Sequence, residues 1–335
     1  MNALPSGGPD HEPAPEPVTG PVTGPVTSLV PELFRGLFDD AAVFPPGNLA
    51  VADAVPAHRR HRAAWYAEAV GPLLCGAGRL GELAAAVTNS PAVAGTSASP
   101  GDTSGGVAGA DGSVAAEDRP LKVGLVLPGG STELAPALAA AAPFELAGVE
   151  LATRDAAEAV AALDRLLPPD IPAAVELPRE LLRGDGLDAV LDVLVDSPYR
   201  AKFRTGGLVA EAFPSEDELA AFLVGCARRG LPYKCTAGLH NAVRHTDPET
   251  GFEHHGFLNV LLAAQETDLA AAAAVLAERD GEVLAKAARA MADRQVVMIR
   301  NSFTAFGTCS IAEPLGDLAE LGLLPSPSPL HQEDR

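Results

Sequence analysis

Short apolar runs alternate with Ala- and Leu-rich stretches of helical spacing along most of this chain, and that rhythm leaves few folds open. The strand candidates are "LFDDAAVF" (37–44), "GPLLCGAG" (71–78), "LKVGLVLPG" (121–129), "LAGVELAT" (146–153), "IPAAVELP" (171–178), "YRAKFRTG" (199–206), "LPYKCTAG" (231–238) and "GFLNVLLA" (256–263). Helical stretches lie between them. The clearest is "SEDELAAFLVGCARRG", with Ser215 as N-cap, Glu218 at the capping-box position and Gly230 as the stop. Another helix is expected to start at Thr153 or Asp155. Alternating strands and helices imply a parallel sheet with right-handed crossovers. Eight such units predict a (β/α)8 TIM barrel, an α/β fold. The alternative is a doubly wound open parallel sheet, but no G-x-G-x-x-G turn follows any strand candidate.

The expected organisation is one barrel domain over 29–325. Residues 1–28 carry a repeated P-V-T-G unit and read as a disordered tail, as do residues 326–335. Residues 88–118 are dominated by small residues without periodicity and read as a low-complexity insertion in a loop.

Formal net charge is −20, which argues against nucleic-acid partners and anionic membrane surfaces. The N-terminus shows no signal-peptide pattern, and charges interrupt every apolar window before a membrane-spanning length. The four cysteines, Cys75, Cys226, Cys235 and Cys309, have no C-x-x-C spacing, so reduced thiols in a cytoplasmic protein are expected. Homo-oligomer formation stays open.

Fully buried parallel strands should read as unbroken apolar runs, and several of these do not. Glu150, Glu176, Lys202 with Arg204, Lys234 with Thr236, and Asn259 interrupt five successive candidates near their C-terminal ends. Residues two apart share a face, so Lys202 pairs with Arg204 and Lys234 with Thr236. In a barrel, catalytic groups come from those ends. Buried charges must pair, so this cluster reads either as a charged site or as a structural salt-bridge network. The glycines of "PGG" (128–130) and of "TGG" (205–207), Gly206 and Gly207, could hold a phosphate or carboxylate through backbone N–H groups.

The segment after the seventh candidate holds His240, Arg244, His245, His254 and His255. It suggests acid–base work, anion binding or a divalent metal held by His240, His245, His254 and His255, although H-E-x-x-H is absent. His240 lies nearest the strand end and is the preferred proton-transfer residue. His58 and His61, among arginines, read as an exposed basic face. Asp39 and Asp40 read equally as metal or base-orienting groups and as turn formers. Residues 301–314, "NSFTAFGTCSIAEP", read as a segment folding back over one end of the barrel or the other.

The chain has four lysines against twenty arginines, yet two of the four sit in "KFRTGG" and "KCTAG". These stretches resemble class I aldolases of the deoxyribose-phosphate aldolase type, which are (β/α)8 barrels with K-x-x-T-G on strand six and K-x-[ST]-G-G on strand seven. Lys202-Phe-Arg-Thr205-Gly206 and Lys234-Cys-Thr236-Ala-Gly238 agree in strand number, spacing and residue type. The resemblance implies Lys202 as the imine-forming nucleophile and Lys234 as the neighbour that lowers its pKa. Arg204 departs from the small residue of that motif, and "AGLHNAVRH" stands where the family has a shorter phosphate-binding turn. The whole chain also resembles a group of bacterial proteins sharing "KxRTGG" and "KxTAGLH", a likeness that carries no chemistry of its own.

Lysine chemistry fits on independent grounds. A neighbouring cation or desolvation can make a lysine amine nucleophilic, whereas arginine neither deprotonates usefully nor forms an imine. The expected function is an aldolase-like lyase acting on a small anionic carbonyl substrate with no cofactor. Its catalytic set is Lys202, Lys234, His240, Glu150 and Glu176. Arg204, Thr205, Gly206, Gly207, Thr236, Gly238, Asn259 and Arg244 would bind substrate. The alternatives are a metal-dependent lyase or isomerase using the His-rich loop, and a non-catalytic protein that binds small anions.

Overall fold

The computed structural model describes residues 28–89, 120–183 and 186–325. The expected tails, apart from Ser28, and nearly all of the expected insertion lie outside these residues.

Strands β1 (Phe38–Asp40), β2 (Val70–Gly76), β3 (Lys122–Leu127), β4 (Glu145–Ala152), β5 (Ala173–Leu177), β6 (Arg200–Arg204) and β7 (Tyr233–Thr236) fall on the first seven candidates. A short antiparallel ribbon follows, β8 (His245–Thr246) with β9 (Glu253–His254). The last strand is β10 (Phe303–Thr308). The barrel is closed, in the order β1-β10-β7-β6-β5-β4-β3-β2, and every pairing in it is parallel. The chain is therefore a (β/α)8 barrel, and the open-sheet alternative falls.

Helices α1 (Val51–Ala63), α2 (Leu80–Asn89), α3 (Leu134–Ala140), α4 (Ala156–Leu166), α5 (Gly186–Val195) and α6 (Glu216–Arg229) connect successive strands. The capping signals hold. Ser215 and Glu218 form a reciprocal capping box on α6, and Gly230 ends that helix with φ 65°. Asp155, not Thr153, caps α4 by accepting from the Glu158 N–H.

The eighth strand is not where the sequence placed it. Residues 256–263 contain helix α7 (Phe257–Ala263), buried along its whole length. An apolar run of that length has no periodicity to separate a buried strand from a buried helix. Helices α8 (Leu269–Ala277), α9 (Gly281–Arg289) and α10 (Asp293–Ser302) follow before β10 closes the barrel, and α11 (Ala312–Glu320) comes last. Residues 301–314 are therefore no cap. Phe303 and Phe306 of β10 are fully buried, and Phe306 meets Phe38 and Phe257 at ring-centroid distances of 5.4 and 5.2 Å. This aromatic packing fixes the closing strand between β7 and β1.

Candidate active site

Six side chains of alternating charge run across the barrel interior. Arg204 Nη1 donates to Glu176 Oε1 at 3.3 Å. Glu176 Oε2 lies 2.6 Å from Lys202 Nζ, and Lys202 Nζ lies 2.6 Å from Glu150 Oε2. Glu150 Oε1 accepts from Lys234 Nζ, which also donates to Asp39 Oδ2 at 2.5 Å. The inward pleat of β1, β4, β5, β6 and β7 builds this row. The register sets Lys202 beside Glu176 on one side and Lys234 on the other. Three cations face three carboxylates, so charges that would each be costly to bury are paired.

Position within the row sets protonation. Burial would raise the Glu150 pKa, but the ammonium groups of Lys202 and Lys234 outweigh it and hold the carboxyl at about 2. Glu176 is lowered in the same way: Lys202 and Arg204 overcome its burial. Burial disfavours the Lys234 cation, yet Asp39 and Glu150 keep its pKa above the ordinary lysine value. Asp39 ends the row. Burial dominates there and raises its pKa despite Lys234.

The row divides the barrel interior in two. Above it, at the C-terminal ends of the strands, a cavity of about 240 Å³ has Lys202, Glu150 and Thr236 in its wall and Pro45, Phe213 and His240 nearer the rim. Below it, a cavity of about 190 Å³ is lined by Asp39, Arg200 and Lys234. Glu150 touches both. The two lysines are therefore not equivalent: Lys202 faces the mouth, and Lys234 faces the N-terminal side.

Arg204 also lines the mouth, with 54% of its side chain exposed. A neighbouring cleft of about 600 Å³ brings Arg154, Arg179 and Arg204 near Gly129, Gly130 and Gly206. Glu158 and Glu176 line the same cleft, and Arg179 and Arg204 pair with Glu218 and Glu176 at 2.5 and 3.3 Å.

The glycines after β6 and β7 have a steric reason. A Cβ on Gly206 would stand 2.8 Å from Gly238 Cα, and one on Gly238 would stand 2.9 Å from Gly206 Cα. Gly238 also has φ 77°. Thr205 reinforces the contact, donating from Oγ1 to Ala237 O at 2.5 Å. It is fully buried and acts as a tie between strand ends, whereas Gly207, Thr236 and Gly238 border the mouth. Gly238→Ala is expected to cost roughly 1–3 kcal/mol, from left-handed strain plus the clash. Gly36→Ala is the control: φ is 58° but a Cβ there meets nothing within 4 Å, so it should cost less in the same denaturant titration.

Asn259 and Arg244 do not join the site. Asn259 sits on α7, not at a strand end. Its Oδ1 accepts from the Arg244 N–H at 2.9 Å, and its Nδ2 donates to Val275 O and Glu278 O, both at 2.8 Å. The buried Arg244 guanidinium pairs with Glu216 at 2.8 Å and Glu253 at 3.0 Å. Both residues pin the segment after β7.

The histidines separate as well. His255 is buried, with Nε2 2.8 Å from Pro214 O, and burial lowers its pKa to about 4. His245 contacts Val243 O, and His254 reaches the rim against Phe213. Among the described residues, no group of three or more His, Cys, Asp or Glu is placed to hold a metal ion. His58 is buried rather than on an exposed basic face, with Nδ1 2.9 Å from Asp40 Oδ2. Asp40 also accepts from the Ala42 N–H at 3.1 Å.

His240 does line the mouth. Its Nδ1 lies 3.0 Å from Glu313 Oε2 and 3.5 Å from Cys309 Sγ. Burial would lower its pKa, but these two partners outweigh it and hold the imidazole at about 10. At neutral pH it is a cationic donor rather than a base.

Sequence reasoning missed Asp39 as a member of the charged row, and it missed Cys309 and Glu313 altogether. Asp39 was visible only as one of two adjacent aspartates. Nothing local distinguished Cys309 from the other thiols.

No family model, no curated protein and no solved structure matches the chain. Among the described residues, no helix is long and apolar enough to cross a membrane.

Proposed function

We propose that the mouth is a carbonyl site in which Lys202 forms an imine with a small anionic substrate, leading to aldolase-like cleavage or formation of a carbon–carbon bond. One observation carries the proposal: a buried lysine ammonium forms part of the wall of an open-mouthed cavity and is held between two carboxylates. The resemblance of strands six and seven to class I aldolases agrees with it.

Nucleophilic attack needs a free amine, whereas Lys202 sits as a cation between two carboxylates. The net reaction removes the objection. An ammonium and a carbonyl give an iminium and water, so the positive charge between Glu150 and Glu176 is the same before and after. The pair that stabilises the ammonium then stabilises the iminium, the electron sink that C–C cleavage needs. During attack, one proton leaves Lys202 and is held by Glu176, the more accessible of its two partners. Glu176 returns it to the carbinolamine hydroxyl, so that water leaves and the carboxylate is restored. As the bond breaks, its electrons move into the iminium to give a neutral enamine. The restored Glu176 carboxylate takes the proton of the β-hydroxyl as that carbon leaves as a carbonyl, and protonated His240 suits proton donation to the enamine carbon. Arg204, at the rim, suits the substrate's carboxylate or phosphate.

Reduction with borohydride in the presence of a small aldehyde or 2-oxo acid tests this. The expected result is a peptide carrying the reduced adduct at Lys202. No adduct on either barrel lysine overturns the proposal, and an adduct confined to Lys234 moves the chemistry to the lower cavity.

A second reading has its own support. Both lysines are fully engaged in ion pairs, as a non-catalytic anion-binding protein with a rigid charged floor would have them. Substitution of Lys202 by arginine separates the two.

A further inference from the structure

Cys309 stands apart from the other thiols. Cys75, Cys226 and Cys235 are buried within the barrel wall and helices, whereas Cys309 is half-buried and opens on the mouth. It leaves the end of β10 and lies three residues before α11, whose N-terminal dipole favours negative charge. Its Sγ is 3.5 Å from His240 Nδ1 and 3.9 Å from Nε2. Glu313, in the first turn of α11, holds the same imidazole at 3.0 Å. Gly47 packs so closely that a Cβ there would be 2.9 Å from Cys309 Cβ. Cys309 and His240 thus share one side of the cavity, and the Cys309 thiol and the Glu313 carboxylate both approach Nδ1 of the same imidazole.

We propose that Cys309 is an activated thiol, paired with His240, and that it is a covalent modification site for small α,β-unsaturated carbonyl compounds entering the mouth. The thiolate sulfur attacks the β-carbon, and the new C–S bond forms as the C=C π electrons shift toward the carbonyl oxygen. The His240 imidazolium then delivers its proton to the α-carbon, which completes the adduct without a leaving group or an oxidant. Two features favour this class of electrophile. Thiolate is a soft nucleophile, and the imidazolium beside it supplies the one proton that conjugate addition requires. The inference does not depend on Lys202 chemistry, because it needs no imine.

N-ethylmaleimide, itself an unsaturated carbonyl compound, is the probe. The intact protein is labelled at pH 7 under pseudo-first-order conditions, and each cysteine is followed by peptide mass spectrometry. Cys309 is expected to react at least about tenfold faster than free glutathione under the same conditions, and His240→Gln to slow it about tenfold or more. Glu313→Gln should slow it by a smaller factor. If His240→Gln does not fold, as judged by circular dichroism, the Glu313→Gln rate is decisive, and no slowing there removes the activation. A wild-type Cys309 rate at or below that of glutathione overturns the proposal whatever the variants do. A fast rate unchanged by His240→Gln also overturns it, because accessibility alone would then explain the labelling. Labelling is read without any carbonyl substrate or reductant, so failure of the imine proposal leaves this result unaffected.

Discussion

Glu150→Gln is expected to destabilise the protein by ~3–5 kcal/mol, the scale of breaking a buried ion pair by removing one partner. The substitution keeps the size of the side chain but deletes the charge shared by Lys202 and Lys234. Lys234 would keep only Asp39, whose own pKa burial pushes up. A surface pair gives the control. Lys122 and Glu145 lie 3.1 Å apart with about half of each side chain exposed, so Glu145→Gln should cost less than ~1 kcal/mol. Chemical denaturation of both variants checks the contrast. Equal losses would mean that Glu150 does not carry the charge balance of the barrel floor.

The same prediction has a pH signature. Glu150 is lowered from 4.5 to about 2 in the folded protein. Its contribution is therefore present in full above the unfolded value and is lost as pH falls through the folded one. The stability gap between wild type and Glu150→Gln should be widest near neutrality and should shrink between about pH 4.5 and 2. A gap that grew in acid would contradict the assignment of Glu150 as an ionised carboxylate.

Lys202→Arg is expected to abolish the borohydride-trapped adduct entirely while leaving the fold in place. Arginine keeps a cation between Glu150 and Glu176, but it cannot form an imine. If turnover of a carbonyl substrate is being followed, the loss should be on the order of 10⁴-fold or more, the scale seen when a covalent nucleophile is removed. Lys202→Met is the companion variant: it removes the adduct and also strips Glu150 and Glu176 of a shared partner, so it should be less stable than Lys202→Arg. Calorimetry with a small 2-oxo acid decides the second reading. A protein that only binds anions would keep its affinity in Lys202→Arg, and adducts would be absent from the wild type as well.

Much of the site was legible before any tertiary structure. Charged residues interrupting apolar strands at period two, always near one end, marked Glu150, Glu176, Lys202, Arg204 and Lys234, because burial of such groups demands partners. Capping chemistry fixed the ends of α6 for equally local reasons. The eighth strand was not legible. "GFLNVLLA" is apolar except for Asn259, and only its packing makes it a helix. The closing strand "FTAFGT" is marked by long-range contacts of Phe303 and Phe306 that no local window contains.

By itself, the sequence determined that this chain would alternate strands and helices and that two lysines would stand on adjacent strands with inward-facing side chains, since both follow from periodicity and residue type; the expectation that both would face the mouth fails for Lys234. The tertiary structure decided the rest. Lys234 meets Asp39 across 195 residues only because barrel closure brings β1 within reach of β7. It also decided that Lys202 faces the mouth while Lys234 faces the opposite cavity, and that Cys309 lies against His240 and Glu313. Such contacts join residues whose local sequences carry no signal of each other, and only the closed barrel brings them together.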